Sequence, residues 1–424
     1  MIRFLFLGLI RDRSRSLFPL MIIGAGAFLT VFLYSWMQGV IGDMVSTNAR
    51  FDTGHVKIMT RSYSRLASQC PNDLALLGVD GILKKLKTRE SRMMWTPRIR
   101  FGGLLDVPDE KGETRVQAPV IGLGLDLLGT QSPEFRILDI RKALVRGRFP
   151  GEKKEAVLSE ELARKLGLKI GDTATLIGST MYGEMATYNF KVAGTVRFGI
   201  SALDRGTIIA DLSAAREALD MSDGASEIVG YSGDMVYHDK DMRNLAQAFN
   251  RDFSKPADRF SPLMLCLSDQ NSLGVILARS SQIVGLIIFV FVFVMSLVMW
   301  NSGLMNQIRR YGEIGLRLAM GEPKGTLYRR LILESFLIGL IGSTLGTALG
   351  LGASYYLQYR GLDFGHMFHK STMLISGELR ASVTPASFYI GFLPGLVASL
   401  LGTMAAGIGI YKRKTSELFK ELET

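Results

Sequence analysis

Four long apolar runs divide the chain unevenly, one near its start at residues 17–40 and three near its end at about 283–300, 331–357 and 388–411. The first carries no charged side chain. At ~1.5 Å per helical residue it reaches roughly 36 Å, enough to cross a hydrocarbon core of about 30 Å with some tilt. It is too long for the core of a secretory signal, and no small-residue cleavage pattern follows it in IGDMVSTNAR, so a retained membrane anchor is predicted. The runs mark out an N-terminal segment 1–16, a first span 17–40 and a large region 41–275. A second span with the start of a stalk follows at 276–308, then a connection 309–330 and a third span 331–357. A loop 358–387, a fourth span 388–411 and a tail 412–424 complete the chain.

The region 41–275 patterns as a folded α+β domain. Alternating stretches predict strands at 54–60, 98–107, 114–125, 188–196 and 206–210, and helical spacing predicts helices at 80–89, 212–219 and 239–253. Residues 155–172 are the most legible: a strand EAVLS, then SEELARKLGL with Leu162, Leu166 and Leu168 inward. Ser159 and an acidic first turn open that helix, and Gly167 or Gly171 supplies the turn after it. The element order predicts two lobes, with 136–229 inserted into a discontinuous lobe made of 50–135 and 230–272. The fold class predicted is a four-helix transmembrane protein, one span and then three, with a large extracytoplasmic α+β domain of two lobes between spans one and two.

Charge orients this arrangement. The formal excess is +11 with a pI near 9.6, yet 41–275 holds 32 Lys and Arg against 30 Asp and Glu. The excess sits at the ends of the spans instead. Arg3, Arg11, Arg13 and Arg15 precede the first span, Arg309, Arg310, Arg317, Lys324, Arg329 and Arg330 fill the connection between spans two and three, and Lys412, Arg413 and Lys414 follow the fourth. Short flanks rich in Lys and Arg stay in the cytoplasm. Both termini are therefore predicted cytoplasmic, and the large region and the 358–387 loop outside. Cysteines placed at Arg98 and Lys191 should then react from outside, and one at Glu322 from inside. The basic balance is a topology signature and not a sign of nucleic-acid binding.

Catalytic chemistry is hard to find. The chain has no G-x-x-x-x-G-K-[ST], H-E-x-x-H, C-x-x-C or G-x-S-x-G run, so no catalytic residue is assigned. His366 and His369 form an H-x-x-H without nearby Cys or His companions, so no metal site is assigned either. Cys70 and Cys266 both fall in the outer region, where a disulfide is chemically allowed. Two separate thiols are the other reading. Glu334 is the one acid near a span interior, a turn from the cytoplasmic end of span three, where it reaches water.

Two patterns remain. In RRYGEIGLRLAMGEPKGTLYRRLILE, helical periodicity continues past the second span through Ile308, Tyr311, Ile314 and Leu318 until Gly321-Glu322-Pro323 breaks it. The second span thus projects as a stalk, turns, and returns through a short basic helix at 324–330, which suits either a groove on a soluble partner or an anionic lipid surface. In the third span, Gly342, Gly346 and Gly350 recur every fourth residue, a row of small side chains that lets helix backbones approach closely, within the subunit or across a dimer. Trp36, Tyr355 and Tyr356 suit the outer interface and Trp300 and Tyr411 the inner.

The stretch from Arg310 to Gly321, RYGEIGLRLAMG, resembles the R-x-x-E-I-G-x-x-R-A-x-G signature of FtsX/MacB-type ABC transporter permeases, with Arg317-Leu318-Ala319 standing where the family has adjacent Arg-Ala. Glu334 matches the acidic residue that usually opens their third span. In the outer region, LVRGRFPGEKKEAVLSEELARKLGLKIGDTATL is similar to the family's G-R-x-P…E-x-V-L-S…L-G-L-x-x-G-D stretch. Residues 54–58 with Tyr63 resemble the opening of the lipoprotein-releasing branch.

The resemblance implies a mechanotransmitting (type VII) permease subunit in the bacterial inner membrane, paired with a second copy or a related permease. Each half would bind a separate ABC ATPase through Glu313, Ile314, Gly315, Arg317, Gly321, Pro323 and Lys324. ATP and magnesium would sit on that partner, with no cofactor on this chain. Nucleotide-driven closure would rearrange the outer domains, for lipoprotein release with a periplasmic carrier or adaptor. The alternatives are MacB-like efflux and FtsX-like regulation of a periplasmic hydrolase.

Overall fold

The computed structural model describes residues 13–109, 112–129, 132–309, 316–318, 320–363 and 378–412. His366 and His369 lie outside them. The chain divides into a helical unit and a sheet domain built on residues 43–277. Four helices among the described residues are long and apolar enough to cross a membrane. They lie in Arg13–Asn48, Leu273–Arg309, Lys324–Arg360 and Phe392–Lys412, the last preceded by the turn Ser387–Ile390. The basic stretch 324–330 is not a separate helix: it is the first part of the third membrane helix, because nothing after Pro323 interrupts the helical hydrogen bonding.

The third membrane helix is packed on two sides. Gly342, Gly346 and Gly350 face Ile23, Ala27 and Val31, all fully buried on the first membrane helix. A Cβ at Gly346 would run into the Gly24 carbonyl oxygen, so the approach depends on the missing side chain. On the other side, the Ser335 hydroxyl donates to the Ser399 carbonyl (2.9 Å), the Ser399 hydroxyl donates to the Ser335 carbonyl (3.1 Å), and Thr403 donates to Ser335 (2.8 Å). In an apolar medium such bonds hold helix to helix without exposing a polar group.

Ten strands among the described residues form one sheet in the other unit. In chain order they are β1 (Val56–Thr60), β2 (Met93–Pro108), β3 (Thr114–Leu125), β4 (Leu144–Gly147) and β5 (Glu155–Ser159). Then come β6 (Thr173–Ser179), β7 (Met185–Val196), β8 (Thr207–Asp211), β9 (Glu227–Ser232) and β10 (Pro262–Cys266). The order is β10-β1-β9-β2-β3-β8-β5-β7-β4, with β6 paired on β2 and β7. The long β2 joins the parts: its first half pairs with β9, Arg98 opposite Glu227, and its second with β3, Ile99 opposite Gly124. β9 itself crosses positions 229 and 230 and pairs with both β1 and β2.

Alternation along β2 assigns two cores. Trp95, Ile99, Phe101 and Leu105 enter one, together with Leu83 and Leu86 of the helix Val79–Arg89 and Met242, Ala246 and Phe249 of Asp239–Phe253. Phe51, Leu123, Ile137 and Tyr231 form the second, against the opposite face. The even positions Thr96, Arg98 and Arg100 therefore point to the side where residues 49–53 lie. Ser159 takes the N-cap place of Glu160–Leu166 without capping it, whereas Asp211 caps Leu212–Ala218 by accepting from the Ser213 N–H (2.9 Å). Both cysteines are free thiols, Cys266 buried and Cys70 half-buried.

Candidate functional site

Of the residues singled out in the connection between the second and third membrane helices, Glu313, Ile314 and Gly315 lie outside the described residues. Arg317, Gly321, Pro323 and Lys324 build one compact turn. Gly321 stands at φ +86°, in the left-handed region, with its N–H on the Leu318 carbonyl (3.1 Å), while the Glu322 N–H reaches the Arg317 carbonyl (3.0 Å). These two bonds make a Schellman motif, which satisfies carbonyls at a helix end and prefers glycine at this place. Pro323 then holds an extended conformation as the N-cap of the third membrane helix. Glu322 and Arg330 approach to 3.2 Å across the turn. The turn leaves Leu316 and Met320 exposed, 58% and 73%, beside exposed Gly321 and Pro323. Space around Gly321 is open, so a side chain there costs backbone strain and no clash.

A second constellation, in the sheet domain, has no counterpart among the sequence-based site residues. The first membrane helix ends in the π-turn Ala49–Thr53. Its carbonyls are met by side chains from the sheet: Tyr231 donates to Ala49 (2.8 Å), Arg98 to Arg50 (3.0 Å) and Arg100 to Phe51 (2.7 Å). Positive groups suit carbonyls at the C-terminal end of a helix, where the backbone dipole is negative. Each arginine is neutralised by a buried acid. Glu134 binds Arg98 through both oxygens at 2.9 Å, both side chains being almost fully buried. Glu227 holds Arg100 (2.9 Å) and Lys57 (2.9 Å), and Asp52 meets the same two bases at 3.0 Å.

Burial alone would raise the Glu227 carboxyl, but Arg100 and Lys57 outweigh it and the carboxyl titrates below its ordinary range. Burial likewise opposes the Arg98 charge, and Glu134 more than restores it. Beside this cluster, the buried His55 accepts from the Ser232 N–H (3.1 Å) at Nδ1, and desolvation pushes its pKa down to about 4. The burial of Arg98 corrects one expectation: at 1% exposed it cannot mark an accessible face, whereas Lys191 is exposed. The signal for the cluster was two arginines at period two inside a mostly apolar strand, a pattern that demands buried partners.

Among the described residues no group of His, Cys, Asp and Glu is arranged to hold a metal ion. What the geometry offers is mechanical: a hydrogen-bonded turn with an exposed apolar edge, and a charge-neutralised socket around a helix end.

Comparison with known proteins places these features. Residues 20–237, just over half of the chain, match the MacB-like periplasmic core domain, and residues 285–415 match the FtsX-like permease C-terminal region. The chain is 30% identical over 118 residues to the macrolide export ATP-binding/permease protein MacB 1/2 of Paracoccus denitrificans, covering 27% of this chain and 17% of that protein. It is 31% identical over 111 residues to the macrolide export ATP-binding/permease protein MacB of Brucella abortus, covering 25% and 16%. The chain thus aligns with only a small part of the length of these relatives. The periplasmic region of MacB from Actinobacillus actinomycetemcomitans is similar at a TM-score of 0.35 and 14% identity, over 52% of this chain and 93% of that one. The chain belongs to the family of FtsX-like permeases that carry a MacB-like periplasmic core domain.

Proposed function

We propose that this permease is the membrane subunit of an ABC transporter in the bacterial inner membrane, and that ATP hydrolysis on a separate ATPase, with its magnesium, drives its sheet domain to release lipoproteins on the outer side. The observation that carries the reading is the turn at 316–323. A Schellman stop and a proline start hold its backbone while Leu316 and Met320 stay bare, as a force-bearing contact with a soluble partner requires. The charge pattern at the span ends favours a cytoplasmic place for this turn and both termini. A second copy or a related permease completes the assembly, and residues 54–58 with Tyr63 favour lipoprotein cargo.

The test is reconstitution in vesicles with a candidate partner ABC ATPase and a fluorescent lipoprotein. ATP-dependent transfer of the lipoprotein to a soluble carrier is the expected result. Glu313→Lys and Gly321→Trp should each leave the protein inserted and abolish ATPase binding. Normal binding and turnover with both changes would remove the turn from the coupling path. Macrolide export, named for the relatives above, is the second reading; ATP-driven macrolide transport without lipoprotein transfer would select it.

A further inference from the structure

The sheet domain joins the first and second membrane helices through two short segments, and they are built differently. On the first, residues 49–53, the carbonyls of Ala49, Arg50 and Phe51 are held by Tyr231, Arg98 and Arg100, the two arginines backed by buried acids. On the second, Asn271 and Ser272 stand at φ +51° and +57°, two consecutive non-glycine residues in the left-handed region directly before Leu273 starts its helix. Asparagine tolerates this region, but serine there is strained, and such backbone persists only where its surroundings hold it. Both side chains are exposed, so packing does not hold them. Two contacts do: the Leu273 N–H donates to the Gln270 carbonyl across the pair (2.9 Å), and the Asn271 amide donates to Asp52 Oδ2 at 2.6 Å, the other oxygen of Asp52 being fixed by Lys57 and Arg100. Gln270 adds a longer bond to the Thr53 carbonyl (3.3 Å). Gly274 follows, where a Cβ would strike the Ser268 carbonyl oxygen, so the chain passes close to itself just after the strained pair.

We propose that Asn271–Ser272 is a strained hinge in the second membrane connection, and that the Asp52–Asn271 contact is the latch that keeps it shut while the first connection stays clamped. Opening the latch removes the side-chain contact that opposes the strain, so the start of the helix after Ser272 loosens and the socket around residues 49–53 does not. The inference is independent of what the transporter carries.

Hydrogen exchange on the full-length protein in lipid nanodiscs tests it. Asn271→Asp sets a second carboxylate against Asp52. The amides of residues 273–277 should then exchange at least tenfold faster, with those of Ile58 and Val229 unchanged. Ser272→Val leaves the latch residues in place but puts a β-branched side chain where it fits the backbone worst. It should speed the same amides at least fivefold. Wild-type rates at 273–277 in Asn271→Asp overturn the latch, and wild-type rates in Ser272→Val overturn the hinge. An equal acceleration of β1 and β9 in either protein would show a general loss of stability and overturn the proposal as well.

Discussion

The turn at 316–323 and the socket at 49–57 both end a helix, and they do so with opposite chemistry. The turn closes its carbonyls with its own backbone, and the ion pair across it, Glu322–Arg330, keeps 20% and 40% of its partners' surface exposed. The socket closes them with arginines whose counter-ions, Glu134 and Glu227, have 0% and 1% exposed. An exposed pair contributes at most about 1 kcal/mol, whereas removing one member of a buried pair leaves an uncompensated charge at roughly 3–5 kcal/mol. Damage to the socket should therefore be seen as lost stability, and damage to the turn as lost partnership in a protein that still folds.

The sharpest way to break this contrast is Glu134→Ala. It strands Arg98 and should destabilise the sheet domain by about 3–5 kcal/mol, read as the shift of the thermal unfolding transition in nanodiscs. A shift no larger than that of an exposed pair would mean water reaches the site and the distinction fails. Acid probes the same region. His55 takes its proton near pH 6.5 when unfolded and near 4 when folded, so the unfolded state binds more protons in between. Stability should fall by roughly 3 kcal/mol as pH drops through that window and then lose no more from this group. His55→Gln should flatten the slope; an unchanged slope would assign it elsewhere.

Gly346→Val tests the helical unit by forcing a side chain against Gly24 and Ala27. Overpacking of this kind costs about 1–3 kcal/mol, measured by unfolding in mild detergent. The smallest effect belongs to the turn. Gly321→Ala keeps an open site but forces a Cβ at φ +86°, at a cost of about 1 kcal/mol, with the thermal transition nearly unmoved. Its ATPase affinity should nonetheless fall. If stability and affinity fell together, the turn would be a structural element like the socket.

The membrane helices, the strands β1, β3, β5, β7 and β8, and β2 from Arg98 onward were legible because each carries one strong period or one long apolar run. Four strands were not. β9 opens on a glutamate and carries a glycine in mid-strand, and β10 begins with a proline at the edge of the sheet. β4 is mostly exposed, and β6 follows directly on a turn. The turn at Gly321 could be read because glycine and proline are local signals. The socket could not, since Arg98 finds Glu134 and Arg100 finds Glu227 across 36 and 127 residues of sequence. Local pattern shows that an arginine on a buried strand face must be satisfied, and only the fold shows by whom.

The parity of β2 also limits how the gene can change length. Trp95, Ile99 and Phe101 serve one core while Arg98 and Arg100 serve the socket on the other side, all within one continuous strand. One codon gained or lost between Trp95 and Arg98 would turn every residue on one side of the edit to the opposite face, sending guanidinium groups into the apolar core and aromatic rings toward the π-turn. Two codons would keep the alternation and shift only the pairing. Length variation among descendants of this sequence should therefore spare β2, or enter it in pairs, and collect in the loops beyond Pro108.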